Sequence, residues 1–178
     1  QRSLVDRILR RYEQTGLKLV ALKFLIPDEE MVEKHYLASG EEWIEKVGKK
    51  TIQSYKDKGM KPVFEDAIEW GRLVEYLLKK YLTSGPVLAM VWQGSEAVGV
   101  IKKITGGTEP LTSDVGTIRG DFTVDSYYLA DTDERAVRNL IHVSAVPEEA
   151  KKEIPIWFSK QEILKYKLIQ ERILYDVN

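Results

Sequence analysis

The chain has 178 residues, 43% hydrophobic and 31% charged, with a formal net charge of −1, no cysteine and two histidines. That length supports one domain with a real core, and the composition excludes a disulfide framework, a Cys-based zinc site and any bulk electrostatic case for a nucleic-acid or membrane partner. With no cysteine a cytoplasmic protein is the simplest expectation, and the sequence shows no signal peptide or span-length apolar run.

In chain order, Ser3 to about Gln14 reads as an amphipathic helix. Leu4, Val5, Ile8, Leu9 and Tyr12 fall on one face, Ser3 and Asp6 form a capping pair, and Gly16 is the stop. Its arginines read as a solvated face. Leu17–Leu25 alternates as a strand, and Asp28 caps a second helix running through His35 and Tyr36 to about Ala38. From Ser39 to about Phe64 a Lys- and Glu-rich stretch with Trp43, Ile44, Val47, Ile52 and Tyr55 predicts a helix or helical hairpin. Phe64–Leu82 predicts another helix, and Val87–Trp92 a buried strand after the Ser84-Gly85-Pro86 turn. Glu96–Ile104 is helical by pattern. Gly116-Thr117-Ile118-Arg119-Gly120-Asp121-Phe122 follows, leading into a short strand at Phe122-Thr123-Val124 and an acidic loop at 126–136.

The segment with the most chemistry is Asn139-Leu140-Ile141-His142-Val143-Ser144. Leu140-Ile141 reads as the end of a buried strand. Pro147 opens a helix with Glu148 and Glu149 in its first turn, where carboxylates suit the positive end of the dipole. Glu153 lies about two turns in, within reach of the His142 imidazole. An imidazole whose tautomer is set by a carboxylate is a nucleophile. Ser159 to Glu162 is a capping-box signature that predicts a final helix with Ile163, Leu164, Tyr166, Leu168 and Ile169. With only His35 and His142 to offer imidazole, no protein-held metal is expected.

These motifs resemble those of the nucleoside diphosphate kinase family. Its Asn-x-x-His-Gly-Ser-Asp segment, helical Glu and Trp-Phe ending match Asn139, His142, Ser144, Glu153, Trp157 and Phe158, and its Ser-Gly-Pro turn and Gly-Thr-Ile-Arg-Gly-Asp-Phe stretch recur. Four positions depart: Val143 for Gly, Ala145 for Asp, Lys102 for Arg and Glu109 for Asn. The resemblance implies a ferredoxin-like α/β fold, an antiparallel β-α-β-β-α-β sheet with helices on one face. It would span residues 1–178 as a single domain with insertions near 39–64 and 126–136. It further implies transfer of the terminal phosphate of a nucleoside triphosphate to a nucleoside diphosphate through a phosphohistidine on His142, oriented by Glu153 and Ser144. Tyr36, Lys102, Thr108 and Arg119 would face the phosphates and Asn139 a sugar hydroxyl. ATP and other nucleoside di- and triphosphates are the expected partners, Mg2+ arriving on the nucleotide, in a homo-oligomer. The base-stacking aromatic is left open among Phe64, Trp70 and Tyr76. The family's first strand, ending in Lys-Pro-Asp, precedes the point where this sequence begins. Since an interior strand leaves unpaired neighbours when removed, the natural chain is expected to carry further N-terminal residues or to fill that slot with another segment. The departures carry the alternative of a catalytically impaired nucleotide-binding or interaction protein on the same fold. A sheet that binds nucleic acid is disfavoured, because no basic patch interleaved with aromatics is present.

Overall fold

The computed structural model describes residues 2–37, 40–57 and 59–175. Its elements are α1 (Val5–Glu13), β1 (Lys18–Leu25), α2 (Glu29–Leu37), α3 (Gly40–Asp57), α4 (Ala67–Leu82), β2 (Val87–Gln93), α5 (Ala97–Thr105), α6 (Ile118–Phe122), α7 (Tyr127–Thr132), α8 (Pro147–Trp157) and α9 (Gln170–Tyr175). Among the described residues β1 and β2 form the sheet, an antiparallel pair within an α/β arrangement. No described helix is long and apolar enough to cross a membrane. The contacts divide the chain into two units. The first takes the chain up to Leu25, then Leu88–Tyr127 and everything from Arg138; the second takes Ile26–Val87 and Tyr128–Val137.

In the first unit, one apolar cluster joins Val20 and Ala21 of β1, Val91 of β2 and Phe158, with Ile154 and Trp157 of α8 packed on it. A second joins Tyr12, Ile118 and Phe122 to Ile8, Trp92, Ile101, Ile104, Leu140 and Ile141. The i, i+4 spacing of Leu4, Ile8 and Tyr12 turns those three inward. Buried Tyr12 donates its hydroxyl to Thr105 Oγ1 at 2.6 Å, and Thr105 in turn donates to the Ile101 carbonyl at 2.7 Å, so the polar tip of the aromatic is satisfied.

Several expectations change here. The Ser3 cap is not made: Leu4 occupies the N-cap of α1 without a side-chain hydrogen bond, and Ser3 has φ 52°. Phe122-Thr123-Val124 is not a strand. The Thr117 hydroxyl accepts the Gly120 N–H at 3.1 Å and winds Ile118–Phe122 into α6, while Val124 is exposed. Leu140-Ile141 belongs to no ladder, and a tight turn replaces the strand end. The capping box at Ser159 forms, its N–H donating to Glu162 Oε2 at 2.8 Å, but it opens a 3-10 turn at Lys160–Glu162. Leu164 N–H then donates to the Val20 carbonyl at 2.8 Å, and Tyr166 O–H to the Leu19 carbonyl at 2.6 Å. Hydrogen bonding to β1 holds this stretch extended, and a helix begins only at Gln170. The expected ends at Ala38 and Ser39, and the tail at 176–178, lie outside the described residues.

In the second unit the lysine-rich stretch is helical as expected, forming the 18-residue α3, which packs on α4. Asp66 Oδ1 starts α4 by accepting Ile68 N–H (2.7 Å) and Glu69 N–H (2.9 Å). Gly48 lies against Ala67, and Gly71 against Ile44. As one index rises the other falls, so the two helices run antiparallel with their backbones in contact at these glycines. Trp70 meets Phe64 edge-on at 5.4 Å and Tyr55 tilted at 5.4 Å. The acidic 126–136 stretch, expected as a loop, contains the helix α7, and Tyr55 is hydrogen-bonded to Asp131.

Burial, assisted by Asp131, pushes the Tyr55 hydroxyl up to about 12. A raised tyrosine pKa favours the folded state while the phenol is neutral. This contribution is therefore complete below about pH 10, the unfolded value, and is lost as pH rises from there through about 12. A tyrosinate absorbance titration is expected to show late-ionising tyrosines, with one fewer in Tyr55→Phe, where buried Tyr12, also pushed up by burial, remains. Ionisation of every tyrosine near the free value would overturn it.

Candidate active site

The helix α8 begins at Pro147, where the missing N–H costs nothing, after Val146 in extended conformation. Glu149, in the first turn, reaches back so that its Oε2 accepts the Ala145 N–H at 2.6 Å. Glu153, two turns in, is buried, and both of its oxygens are used. His142 Nε2–H donates to Oε1 at 3.0 Å and Ser144 O–H to Oε2 at 2.5 Å. With the proton on Nε2, the lone pair is on Nδ1, which makes Nδ1 the nucleophilic atom of the ring. The His142 side chain is 52% exposed, so the buried carboxylate holds an imidazole that solvent and substrate can reach.

The backbone that delivers His142 is unusual. Leu140 has φ 69°, and Ile141 N–H donates across it to the Asn139 carbonyl at 2.9 Å. This is a γ-turn of the rare positive-φ kind. Val143, which stands where the family has glycine, is not among the residues with positive φ. The valine therefore meets no left-handed strain.

Arg119 lies against this turn, 6% exposed. Its Nε donates to the Asn139 carbonyl (3.3 Å), its Nη1 to the Gly106 (3.2 Å) and Gly107 (3.0 Å) carbonyls, and its Nη2 to the Ile141 carbonyl. Burial lowers the Arg119 pKa from its usual value. Local sequence explains its placement: Asp121 Oδ1 accepts the Gly116 N–H at 2.8 Å, closing the loop that precedes α6. At Gly106, φ is 89°, and a Cβ would come 2.5 Å from Thr117 Oγ1, so glycine alone suits this approach. Asn139 Nδ2 donates to the Thr108 carbonyl at 3.1 Å. The 106–108 loop and the 139–141 turn are thereby stitched together beside His142.

The structure thus brings His142, Ser144, Glu153, Asn139, Thr108 and Arg119 into one hydrogen-bonded neighbourhood. Thr108 is exposed there, and Lys102 is exposed on the last turn of α5. Tyr36 belongs to the second unit, where its ring meets His35 edge-on at 5.1 Å and Trp43 at 6.1 Å. Of the aromatics left open for base stacking, Trp70 is spent on packing and Tyr76 is 62% exposed. Three features escape sequence reasoning: the Leu140 turn, the Glu149 bond to Ala145, and Glu109. Glu109 Oε1 accepts the Tyr127 N–H at 2.8 Å at the start of α7. The signal for Glu109 was present, since its departure from asparagine accompanies the longer 126–136 stretch that it fastens.

A family model described as nucleoside diphosphate kinase matches residues 48–163. The chain belongs to the nucleoside diphosphate kinase family. The nucleoside diphosphate kinase of Pyrobaculum aerophilum is 42% identical over 92% of this chain and 91% of its own length. That of Methanobrevibacter smithii is 37% identical over 99% and 91%. The crystal structure of an NDP kinase from Pyrobaculum aerophilum superposes with a TM-score of 0.87 at 41% identity, covering 92% of each chain. A transition-state mimic of the Borrelia burgdorferi kinase with bound vanadate and ADP superposes at 0.77 and 35% identity, over 97% of this chain and 88% of that one. The ferredoxin-like α/β fold expected from the sequence is the fold of this chain, and the family places it among the transferases.

Proposed function

We propose that this nucleoside diphosphate kinase family member moves the terminal phosphate of a nucleoside triphosphate to a nucleoside diphosphate through a phosphohistidine at His142. The observation that carries the reading is the chain from His142 through Glu153 to Ser144, which fixes the imidazole tautomer. In the first half-reaction Nδ1 attacks the γ-phosphorus. The N–P bond forms as the bond to the bridging oxygen breaks, and the nucleoside diphosphate leaves with that electron pair. Positive charge developing on the ring is shared through the Nε2 proton with Glu153. A second diphosphate then attacks the phosphohistidine and reverses the exchange, giving ping-pong kinetics.

Lys102 and the Thr108 hydroxyl are proposed to meet the phosphates, Mg2+ to ride on the nucleotide as part of the substrate, and Asn139 to meet the sugar through its amide oxygen. Support also comes from the departures, each of which has a use or retains a property. Val143 needs no left-handed backbone, the Ala145 N–H is taken by Glu149, Glu109 fastens the start of α7, and Lys102 keeps the cationic charge. The reading treats residues 1–178 as one family domain whose insertions, near 39–64 and 126–136, fall largely in the second unit. A homo-oligomer in the cytoplasm is proposed on the family likeness alone.

Incubation with ATP labelled at the γ-phosphate is expected to yield an acid-labile, alkali-stable phosphoprotein. The label should be discharged by a nucleoside diphosphate, and EDTA should block its formation. A protein that binds ATP yet takes no label would overturn the reading in favour of a nucleotide-binding protein without turnover.

A further inference from the structure

We propose that Glu149 is a positioning residue: it holds the Ser144–Ala145 peptide and so seats the Ser144 hydroxyl on Glu153, whose other oxygen fixes the His142 imidazole. The inference rests on the reading of His142 as the phosphoryl carrier.

The residues between His142 and α8 are Val143-Ser144-Ala145-Val146. Only Ser144 among them has a polar side chain, and it is spent on Glu153. Ala145 stands where the family pattern has a carboxylate. Val146 is the N-cap of α8, and having no side-chain oxygen it closes no cap bond. Apart from Ser144, this stretch has no side chain of its own with which to tie itself to the helix. The tie comes from the helix instead. Glu149, third residue of α8, reaches back and accepts the Ala145 N–H at 2.6 Å. This is half of a capping box moved one residue outward, the carboxylate taking the N–H before the N-cap in place of the N-cap's own.

Glu149 and Glu153 are four residues apart, so their carboxylates project from one face of α8 about a turn apart. The incoming chain passes that face in the opposite direction: Ala145 meets Glu149, while Ser144 and His142 meet Glu153. The Ala145 nitrogen lies in one rigid plane with the Ser144 carbonyl and Cα. Holding its N–H sets that plane, and with it the direction in which the Ser144 side chain leaves. Ser144 O–H then donates to Glu153 Oε2 at 2.5 Å, and His142 Nε2–H to Oε1 at 3.0 Å. Glu149 is thus two steps behind the imidazole, acting through Ser144 and Glu153. Misplacing a reacting atom by about 1 Å costs on the order of 100-fold in rate, so a partial loosening of this relay costs a measurable share of that.

The test uses the full chain, its Glu149→Ala, Glu149→Gln, Glu149→Asp and Ser144→Ala variants, and the Ser144→Ala/Glu149→Ala double variant. Three quantities are measured: the single-turnover phosphorylation rate at saturating Mg-ATP, the ADP dissociation constant and the melting temperature. Glu149→Ala is expected to slow phosphorylation by about 5- to 20-fold and to change ADP affinity by less than about threefold. Glu149→Gln has an amide oxygen that still accepts the Ala145 N–H without the charge, and should recover at least about half of the loss on a logarithmic scale. Glu149→Asp keeps the charge at the helix N-terminus but is one methylene short of the N–H, and should stay slow. Without Ser144 there is no hydroxyl to seat, so Glu149→Ala should slow the Ser144→Ala chain by less than about twofold.

A Glu149→Ala chain that melts lower yet labels at the wild-type rate would overturn the proposal and leave Glu149 a helix cap. Equal slowing with and without Ser144 would overturn it as well, since the relay runs through that hydroxyl. Glu149→Gln as slow as Glu149→Ala would assign the effect to charge and overturn the hydrogen-bond account. Weakened ADP binding with an unchanged saturating rate would likewise count against it. If Glu149→Ala fails to fold, the other two substitutions decide: faster labelling by Glu149→Gln than by Glu149→Asp supports the relay, and equal or reversed rates overturn it. A wild-type chain that takes no label would instead bring down the His142 reading itself.

Discussion

His142→Ala is expected to reduce phosphoenzyme labelling to background, a loss of at least about 10³-fold, because it removes the exposed imidazole that Glu153 orients. Nucleotide affinity should be nearly unchanged, since the nucleophile meets the phosphate mainly as the bond forms. The cost in stability should be modest. Glu153 loses one donor but keeps Ser144, and leaving part of a buried acceptor unsatisfied costs about 1–3 kcal/mol. Glu153→Gln is the informative companion. An amide NH2 turned toward the ring would donate to Nε2 and move the imidazole proton to Nδ1, removing the attacking lone pair. Labelling should then slow by about 10²- to 10⁴-fold, with His142 still present and accessible. Quench-flow labelling measures both. Full labelling of His142→Ala would eliminate the phosphohistidine route, and wild-type labelling of Glu153→Gln would remove Glu153 from it.

The largest stability effect is expected in the second unit, at Gly48. A Cβ there would come within 1.7 Å of the Ala67 carbonyl oxygen and 2.6 Å of its carbon, and both are backbone atoms that cannot rotate away. Alanine ordinarily strengthens a helix interior by about 1 kcal/mol. Here that gain is overwhelmed, because α3 and α4 must separate along their length, and Gly48→Ala should cost about 3–5 kcal/mol. For a chain of this size that lowers the melting temperature by roughly 6–20 °C. Gly99, in α5, has nothing within 4 Å of the added carbon, so Gly99→Ala should stabilise by about 0.5–1 kcal/mol. One substitution with opposite signs at two helical glycines can be checked by calorimetry. Equal melting temperatures for the pair would contradict the close helix contact.

Much of this was legible in sequence because its signals are local. Periodicity located α1, α3 and β1, length and apolarity located β2, and the Asp66–Ala67 start of α4 fell within its expected range. The spacing of His142, Pro147 and Glu153 was enough to foresee the carboxylate–imidazole contact. What escaped depends on groups distant along the chain. Leu140 and Ile141 read as a strand because they are apolar, yet a strand needs a partner, and Arg119, 20 to 22 residues away, binds the Asn139 and Ile141 carbonyls in its place. Ile163 to Lys167 likewise carry helical spacing after a genuine cap, but their backbone and side chains bond to β1. Glu109 looked like a lost asparagine until the first residue of α7 was seen to donate to it.

The way the last stretch of chain lies on β1 bears on how the protein is made. Lys18 Nζ donates to Glu171 Oε1 and to the Tyr166 carbonyl, both at 2.7 Å, and the Ser95 N–H donates to the Tyr175 hydroxyl at 3.1 Å. These bonds span up to 153 residues, so the first unit closes only after nearly the whole chain has left the ribosome. The second unit draws most of its residues from the continuous stretch Ile26–Val87, and its α3–α4 pair can assemble while synthesis is still under way. For that interval β1 is without its C-terminal cover, and Val20 and Ala21 lack Phe158 and Ile163, which pack with them in the folded chain. Nascent chains stalled before residue 164 are therefore the species on which a chaperone has the most to hold.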